Sequence, residues 1–336
     1  MPNPTVITMA DYLHMDVPTI VKGSVQIMRE NSPVLNTLKY LRENRLRFFN
    51  RRGPSKVEGG TWKNIGEAYD AGVQFETDLI EETTYYLGRE FSVDERLMNV
   101  VDPVIADPIQ SNIKNYTLGM QRQVCNGIIN GKSTDNSGKS FTGLKERFSS
   151  LPSSQTLFAD GADGSNYLDL RTSADSYAQN VEEFIVLMNK LMKAIDGGRP
   201  DFFLVNEDFQ IKFESILRTS GLLTYTKDNM EREFPSFKGV PFLDIGRCED
   251  DSTYIINNHE QATGADGTSG THHGTTIYAV KQGPEYFQML EKQPFRVREN
   301  DNDPHMIKHT VVMDWALGMM ITHPRSVARL VGLRMA

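Results

Sequence analysis

The chain has 336 residues, 39% of them hydrophobic and 24% charged, with a formal net charge of −8. This composition is that of a folded protein with an ordinary polar surface and enough length for one large domain or two. The acidic balance argues against a dedicated nucleic-acid binder. The two cysteines, Cys125 and Cys248, are far apart and form no CxxC, which argues against a disulfide framework or a cysteine zinc site.

Residues 1–35 are predicted to form an N-terminal arm with one short helix. Asp16 stands before Val17-Pro18, which is a helix-start signal. The apolar residues that follow at helical spacing are Val21, Val25 and Met28. The arm has too few apolar positions to fold alone, so we expect it to lie either on its own subunit or on a neighbour.

Charge segregation marks the next segment. Basic residues dominate from Arg42 to Lys56, acidic residues dominate from Glu76 to Glu95, and a glycine-punctuated stretch separates the two. Strand-forming residues lie along both limbs. We predict a long β-hairpin over about 44–88, with one basic limb and one acidic limb. Because a two-stranded hairpin is marginally stable by itself, it needs its own domain or another subunit to rest on.

A long helix is predicted after Asp107-Pro108, over about 108–130. Its apolar stripe follows spacings of three or four residues: Ile109, Ile113, Tyr116, Met120, Val124 and Ile128. Gly127 and Gly131 are expected to weaken its end. Residues 134–295 then alternate strand and helix patterns, with helices around 184–195 and 206–221, which indicates a compact α/β subdomain.

The closing segment "VVMDWALGMMITHPRSVARLVGL", residues 311–333, is the most apolar stretch of the chain. A membrane span needs about 20 mostly apolar residues, and the run between Asp314 and His323 is too short. We predict a strand covered on both faces, with Trp315 and Ile321 on one of them and Pro324 ending it. The residues after it are expected to pack on the body of the protein.

No catalytic constellation is visible in the sequence. His272-His273 are adjacent and would point to opposite faces of a strand, and "DGADGSN" at 160–166 lacks the final glutamate of a calcium loop. Neither a phosphate-binding loop nor a G-x-S-x-G nucleophile motif is present. We therefore predict no catalytic, metal-binding or cofactor-binding residues and no enzymatic activity.

The order of these elements, with "GVPFLDIG" at 239–246 and "GMMITHPRSVARLVGL" at 318–333, resembles the major capsid proteins of tailed bacteriophages. Those proteins have the Hong Kong 97-type capsid fold. The resemblance implies an α+β fold with an N-terminal arm (1–35), an axial α/β domain (134–295), and a peripheral domain in two parts (36–133 and 296–336). The long helix would be the spine helix, and the hairpin would be the extended loop that reaches across a neighbouring subunit.

The resemblance also implies a structural role. The chain would assemble into pentamers and hexamers of an icosahedral head that encloses double-stranded DNA, as part of the virion, after assembly in the host bacterial cytoplasm. Its partners would be its own copies, separate scaffolding and portal proteins, a possible decoration protein, and packaged DNA contacted without sequence preference; no membrane and no cofactor is implied. Since the chain has no room for an N-terminal scaffold segment, we expect scaffolding from a separate chain.

Contacts between subunits are expected from the hairpin limbs, the hairpin tip and the arginines of the closing segment. These residues are Arg47, Arg51, Arg52, Trp62, Lys63, Glu76, Asp78, Glu81, Glu82, Arg325 and Arg329. Two alternatives stay open. One is an encapsulin-like compartment that holds protein cargo, and the other is a cytosolic metal-dependent enzyme or α/β hydrolase.

Overall fold

A computed structural model describes residues 5–52, 60–68, 78–94, 108–135, 138–160, 167–174, 176–221, 223–262, 272–300 and 308–335. The helices of this part of the chain are α1 (Asp11–His14), α2 (Thr19–Asn31), α3 (Pro33–Thr37), α4 (Pro108–Asn130), α5 (Leu144–Arg147), α6 (Tyr177–Ala194) and α7 (Glu207–Thr219). The strands up to the middle of the chain are β1 (Thr5–Thr8), β2 (Lys39–Arg42), β3 (Arg47–Arg52), β4 (Asp78–Thr83), β5 (Tyr85–Asp94), β6 (Thr156–Phe158), β7 (Leu168–Asp169) and β8 (Phe202–Val205). The later strands are β9 (Thr224–Lys227), β10 (Glu233–Phe237), β11 (Val240–Asp244), β12 (Glu260–Ala262), β13 (His272–Val280), β14 (Phe287–Asn300), β15 (Lys308–Ile321) and β16 (Val327–Arg334). The chain is α+β, as predicted.

The first sheet has five strands in the order β1-β2-β14-β15-β5. β2 and β14 run parallel, and the other neighbouring pairs run antiparallel. Every residue from Trp315 to Ile321 is buried, because both faces of β15 are covered. The predicted core strand is confirmed, and it ends before a tight turn that contains Pro324.

The second sheet has nine strands, with β6-β16-β13-β8-β11-β10-β9 as its main path. Helices α6 and α7 bury aromatic side chains against one face of it. The rings of Phe184 and Phe213 meet edge to face at 5.9 Å, and those of Phe203 and Phe242 stack at 4.7 Å. Asn206 caps the start of α7, since its side chain accepts a 2.8 Å hydrogen bond from the Phe209 N–H.

Two expected boundaries differ from the structure. β14 begins at Phe287 and belongs to the first sheet, so a domain boundary at 295 would fall inside a strand. β16 lies between β6 and β13 in the second sheet, so residues 327–334 do not rejoin the first sheet with β15. In that position Val327, Ala328 and Leu330 are fully covered, but β15 is just as buried in the first sheet, so the difference comes from strand pairing and not from burial.

The arm lies on its own subunit. β1 pairs with β2, and Val21, Val25 and Met28 of α2 are buried in the core that also contains the long helix α4. The Ser32 hydroxyl lies 3.5 Å from the Cys125 sulfur of that helix. This answers the question left open by the sequence, for the residues from Thr5 onward.

Candidate functional site

The root of the charged hairpin is a two-stranded sheet of its own, formed by β3 and β4. β3 and β4 pair antiparallel, with Arg47 opposite Thr83 and Arg52 opposite Asp78. The predicted hairpin is therefore confirmed at its root. Residues 53–59 and 69–77, which include the predicted contact Glu76, lie outside the described residues.

One face of the hairpin root packs on the subunit. Phe48 is buried against Leu290 of β14 and Met320 of β15. The Asn50 side-chain amide donates to the Thr322 hydroxyl at 2.9 Å and to the Pro284 carbonyl at 3.1 Å. The inner face of β3 is thus held by both apolar contact and hydrogen bonds.

An ion pair fastens β4 to the same body. The Arg147 guanidinium donates to the two Glu82 carboxylate oxygens at 2.5 and 2.9 Å, and also to the Met319 carbonyl at 3.0 Å. Such two-pronged pairing fixes direction as well as distance. Glu82, predicted to contact another subunit, therefore serves a contact within its own subunit.

The opposite face of the root is exposed and partly apolar. Because side chains alternate along a strand, Phe49 points away from the body; it is 53% exposed, and Leu79 is 65% exposed. Arg47 and Glu81 form a 3.0 Å ion pair on this face. Both side chains are well exposed, and exposed pairs contribute only about 0–1 kcal/mol, so the pair sets strand register more than stability.

The described part of the hairpin tip, residues 60–68, presents large apolar side chains to solvent. Trp62 and Ile65 are fully exposed. Lys63 lies between them and is partly covered. The tip therefore carries two large apolar side chains that no part of the described chain covers.

The arginines of the closing segment lie elsewhere. Arg325 donates to the Lys193 and Ala194 carbonyl oxygens, both at 3.2 Å, and so caps the end of α6. The Arg329 guanidinium lies 4.7 Å from the centre of the Phe148 ring, and burial lowers the pKa of Arg329. Arg329 is thus partly buried and packs within its own subunit.

The seven other predicted contact residues that the structure describes lie on the hairpin and fall into three groups. Arg47 and Glu81 share the exposed hairpin face, and Trp62 and Lys63 share the tip. Arg51, Arg52 and Asp78 lie in the paired strands. Sequence reasoning missed Phe49 and Leu79, although the adjacent pair Phe48-Phe49 on a strand requires one ring to face outward. The sequence contains no signal for Arg147, which lies 65 residues from its partner Glu82.

The enzyme alternative would need a pocket lined by reactive groups or a metal site. A cleft of about 330 Å³ between β5 and the end of α4 is lined by residues such as Tyr85, Asn130, Phe141 and Glu249. Among the residues described, no three His, Cys, Asp or Glu side chains group closely enough to hold a metal ion. Within the same ranges, no helix has the length and apolar character that crossing a membrane requires.

Asp244, at the end of β11, is the carboxyl group that most resembles a catalytic acid. Burial, together with the nearby Glu207 carboxylate, raises the pKa of Asp244 to about 6. Its Oδ1 accepts a 2.9 Å hydrogen bond from the Gly246 N–H. The turn at Gly246 uses this carboxylate oxygen as a hydrogen-bond acceptor. This structural role explains Asp244 without a catalytic one.

The Asp244→Asn variant should be more stable than the natural chain at pH 7 but not at pH 4. A carboxyl group whose folded pKa is raised binds a proton more readily when folded, so its ionisation weakens the fold as pH rises from about 4 through 6. The difference at pH 7 should be about 3 kcal/mol, because each unit of the rise in the pKa corresponds to about 1.4 kcal/mol. Chemical unfolding at pH 4, 5, 6 and 7 measures it.

Asp250→Asn is the matched control. Hydrogen bonds from the Thr253 and Ser252 side chains lower the pKa of Asp250 to about 2, so its substitution should give no gain at pH 7. A stability difference for Asp244→Asn that stays constant from pH 4 to pH 7 would contradict the assigned cause.

Comparison with known proteins identifies the fold. No protein-family model matches the sequence, and no curated protein matches it. A chain from the capsid of Myoviridae phage XM1 is 10% identical with a TM-score of 0.52, over 88% of this chain and 90% of that one. A chain from the capsid of an empty GTA particle is 13% identical with a TM-score of 0.53, over 95% and 92%. A chain of the holo-SrpI encapsulin complex from Synechococcus elongatus PCC 7942 is 13% identical with a TM-score of 0.52, over 77% and 79%. The predicted phage-capsid fold is confirmed, and the encapsulin shares it.

Proposed function

We propose that this chain is a major capsid protein, which assembles with its own copies into the pentamers and hexamers of an icosahedral phage head around double-stranded DNA. One observation carries the proposal. The hairpin is fastened to the subunit on one face, through Phe48 and Glu82, while its other face and its tip expose Phe49, Leu79 and Trp62. Exposed aromatic side chains of this kind become energetically important anchors once a partner covers them.

The proposed partners follow from that role. Each subunit binds further copies of the chain, and separate scaffolding, portal and decoration proteins complete the head. A net charge of −8 suits a wall that contacts packaged DNA without holding it, because phosphate contacts made by basic side chains supply non-specific DNA affinity. The assembled protein would reside in the virion after assembly in the bacterial cytoplasm.

An encapsulin-like compartment is the second candidate. The similarity to the encapsulin chain, at a TM-score of 0.52, equals that to the XM1 capsid chain. Both classes of shell would use the same kind of subunit contact, and they differ in what the shell contains.

The first experiment is negative-stain microscopy of the purified chain with sedimentation, with and without a crowding agent that raises the effective concentration in place of a scaffold. Closed shells, tubes or rings of five or six subunits support the proposal. DNA inside the shells supports the phage head, and protein cargo supports the compartment. A uniform small oligomer that crowding does not change overturns both in favour of the enzyme alternative.

A further inference from the structure

A carboxylate lies fully buried where the arm, the base of the hairpin and the first sheet meet. Glu291 of β14 is 0% exposed. It pairs in register with Arg42, the last residue of β2, five positions before the hairpin strand β3. A buried charge is costly unless charged or hydrogen-bonding partners surround it, so its contacts reveal what holds this junction.

Three donors from three segments converge on Glu291. The Tyr12 hydroxyl of the arm donates to Oε1, as does the Trp315 indole N–H of β15, at 2.8 Å. The Arg42 Nε donates to Oε2 at 2.7 Å. We call Tyr12, Arg42, Glu291 and Trp315 the Glu291 cluster.

The arm and the hairpin base also contact each other directly in this cluster. The Arg42 guanidinium lies 4.7 Å from the centre of the Tyr12 ring, and its Nη1 is 3.2 Å from the Met15 sulfur. The Tyr12 hydroxyl in turn accepts a 3.4 Å hydrogen bond from the Phe295 N–H, in the irregular stretch of β14. Burial and the neighbouring Glu291 charge raise the pKa of Tyr12 well above its usual value, so the hydroxyl remains a donor at physiological pH.

Stability alone is a poor reason for this arrangement. A buried ion pair is often no more stabilising than well-packed apolar side chains of similar volume, and its best-attested use is to select one geometry among several. What is selected here is the position of two segments relative to each other, because the arm and the strand that leads into the hairpin both bind the Glu291 carboxylate.

We propose that the Glu291 cluster couples the seating of the N-terminal arm to the position of the hairpin. Tyr12 and Arg42 each orient the carboxylate that the other uses, so displacement of the arm loosens the hairpin base, and displacement of the hairpin base loosens the arm. An interaction partner that moves one segment therefore changes the other. The inference concerns the single subunit and holds whether or not the chain forms a shell.

Hydrogen exchange on the purified full chain tests the coupling. Tyr12→Phe removes one hydroxyl and keeps the ring beneath Arg42. It should speed exchange of the backbone amides of Arg47–Arg52 and Asp78–Thr83 by about fivefold or more, the lower end of typical coupling. Because coupling is reciprocal, the arm should respond to a change at Arg42. Arg42→Lys keeps the charge but loses the planar guanidinium over the Tyr12 ring, and it should speed exchange in Thr19–Asn31 of the arm.

Tyr40→Phe is the matched control. Tyr40 is equally buried and its ring lies 5.9 Å from that of Trp315, but its hydroxyl faces the Leu35 carbonyl instead of Glu291. It should leave hairpin exchange unchanged. The proposal is overturned if Tyr12→Phe affects only the arm, or if Tyr40→Phe loosens the hairpin as much as Tyr12→Phe does.

Discussion

Deletion of residues 57–72 should abolish shell assembly while leaving a folded subunit with nearly the thermal stability of the intact chain. The described residues within the deletion include Trp62 and Ile65, whose side chains are fully exposed. Their removal takes no apolar surface out of the core. Substitutions of exposed residues away from special features usually change stability by less than about 0.5 kcal/mol.

The root of the hairpin keeps its own attachments in that variant. Phe48 remains buried against Leu290 and Met320, and Arg147 still pairs with Glu82. The remaining chain between Arg52 and Asp78 can therefore close the shortened hairpin. Assembly would fail because, under the proposed function, the deleted tip is the part that reaches a neighbouring subunit.

Two measurements separate the possible outcomes: calorimetry for the fold, and microscopy with sedimentation for assembly. A lost unfolding transition would mean that the tip belongs to the subunit's own core. Normal shells from the deleted chain would show that the tip is dispensable for assembly. The double variant Trp62→Ala/Ile65→Ala should weaken assembly with no change in unfolding temperature, which attributes the effect to the apolar side chains rather than to loop length.

Sequence reasoning succeeded where a pattern is local. The long helix was predicted over about 108–130 from its apolar stripe and is found at Pro108–Asn130. The hairpin was predicted from segregated charge, because strands with opposite charges pair favourably across a ladder. The core strand around Trp315 was recognisable from an apolar run that contains no charge after Asp314.

The remaining features depend on contacts between distant parts of the chain. β15 and β16 are both apolar and only six positions apart, and nothing local says that they enter different sheets. Arg147 pairs with Glu82, and Tyr12 pairs with Glu291, which is 279 residues away along the chain. No periodic pattern in the sequence connects the members of either pair. Composition likewise could not decide whether the arm rests on its own subunit, since either its own subunit or a neighbouring one could cover an apolar helix face.

The glycines at the end of the long helix illustrate the same limit. Gly127 and Gly131 were expected only to weaken the helix. In the structure the chain returns across this end, and the Gly143 N–H donates to the Gly131 carbonyl at 2.7 Å. A side chain on Gly143 would place its Cβ 2.7 Å from the Gly127 carbonyl oxygen, the Gly131 nitrogen and the Ile129 carbonyl oxygen. The glycines therefore permit two backbone segments to touch.

Gly143→Ala should destabilise the subunit by about 3 kcal/mol, at the upper end of the cost of overpacking. The backbone angles of Gly143, φ −80° and ψ 174°, suit alanine, so the penalty arises from the contact alone. Because all three atoms that it meets are backbone, no rotamer change relieves the clash, and α5 must move away from α4. Calorimetry measures the loss as a lower unfolding temperature.

Gly119→Ala in the middle of α4 provides the opposite case. A Cβ at Gly119 meets no atom within 4 Å, and alanine in a helix interior is favoured over glycine by about 0.5–1 kcal/mol. This variant should therefore raise the unfolding temperature. If Gly143→Ala and Gly119→Ala lowered the unfolding temperature equally, the close contact at Gly143 would not be the cause of the destabilisation. A lower unfolding temperature for Gly143→Ala and a higher one for Gly119→Ala would show that the destabilisation comes from the contact between α4 and the returning chain. This contact lies beside the first sheet, on which the hairpin rests.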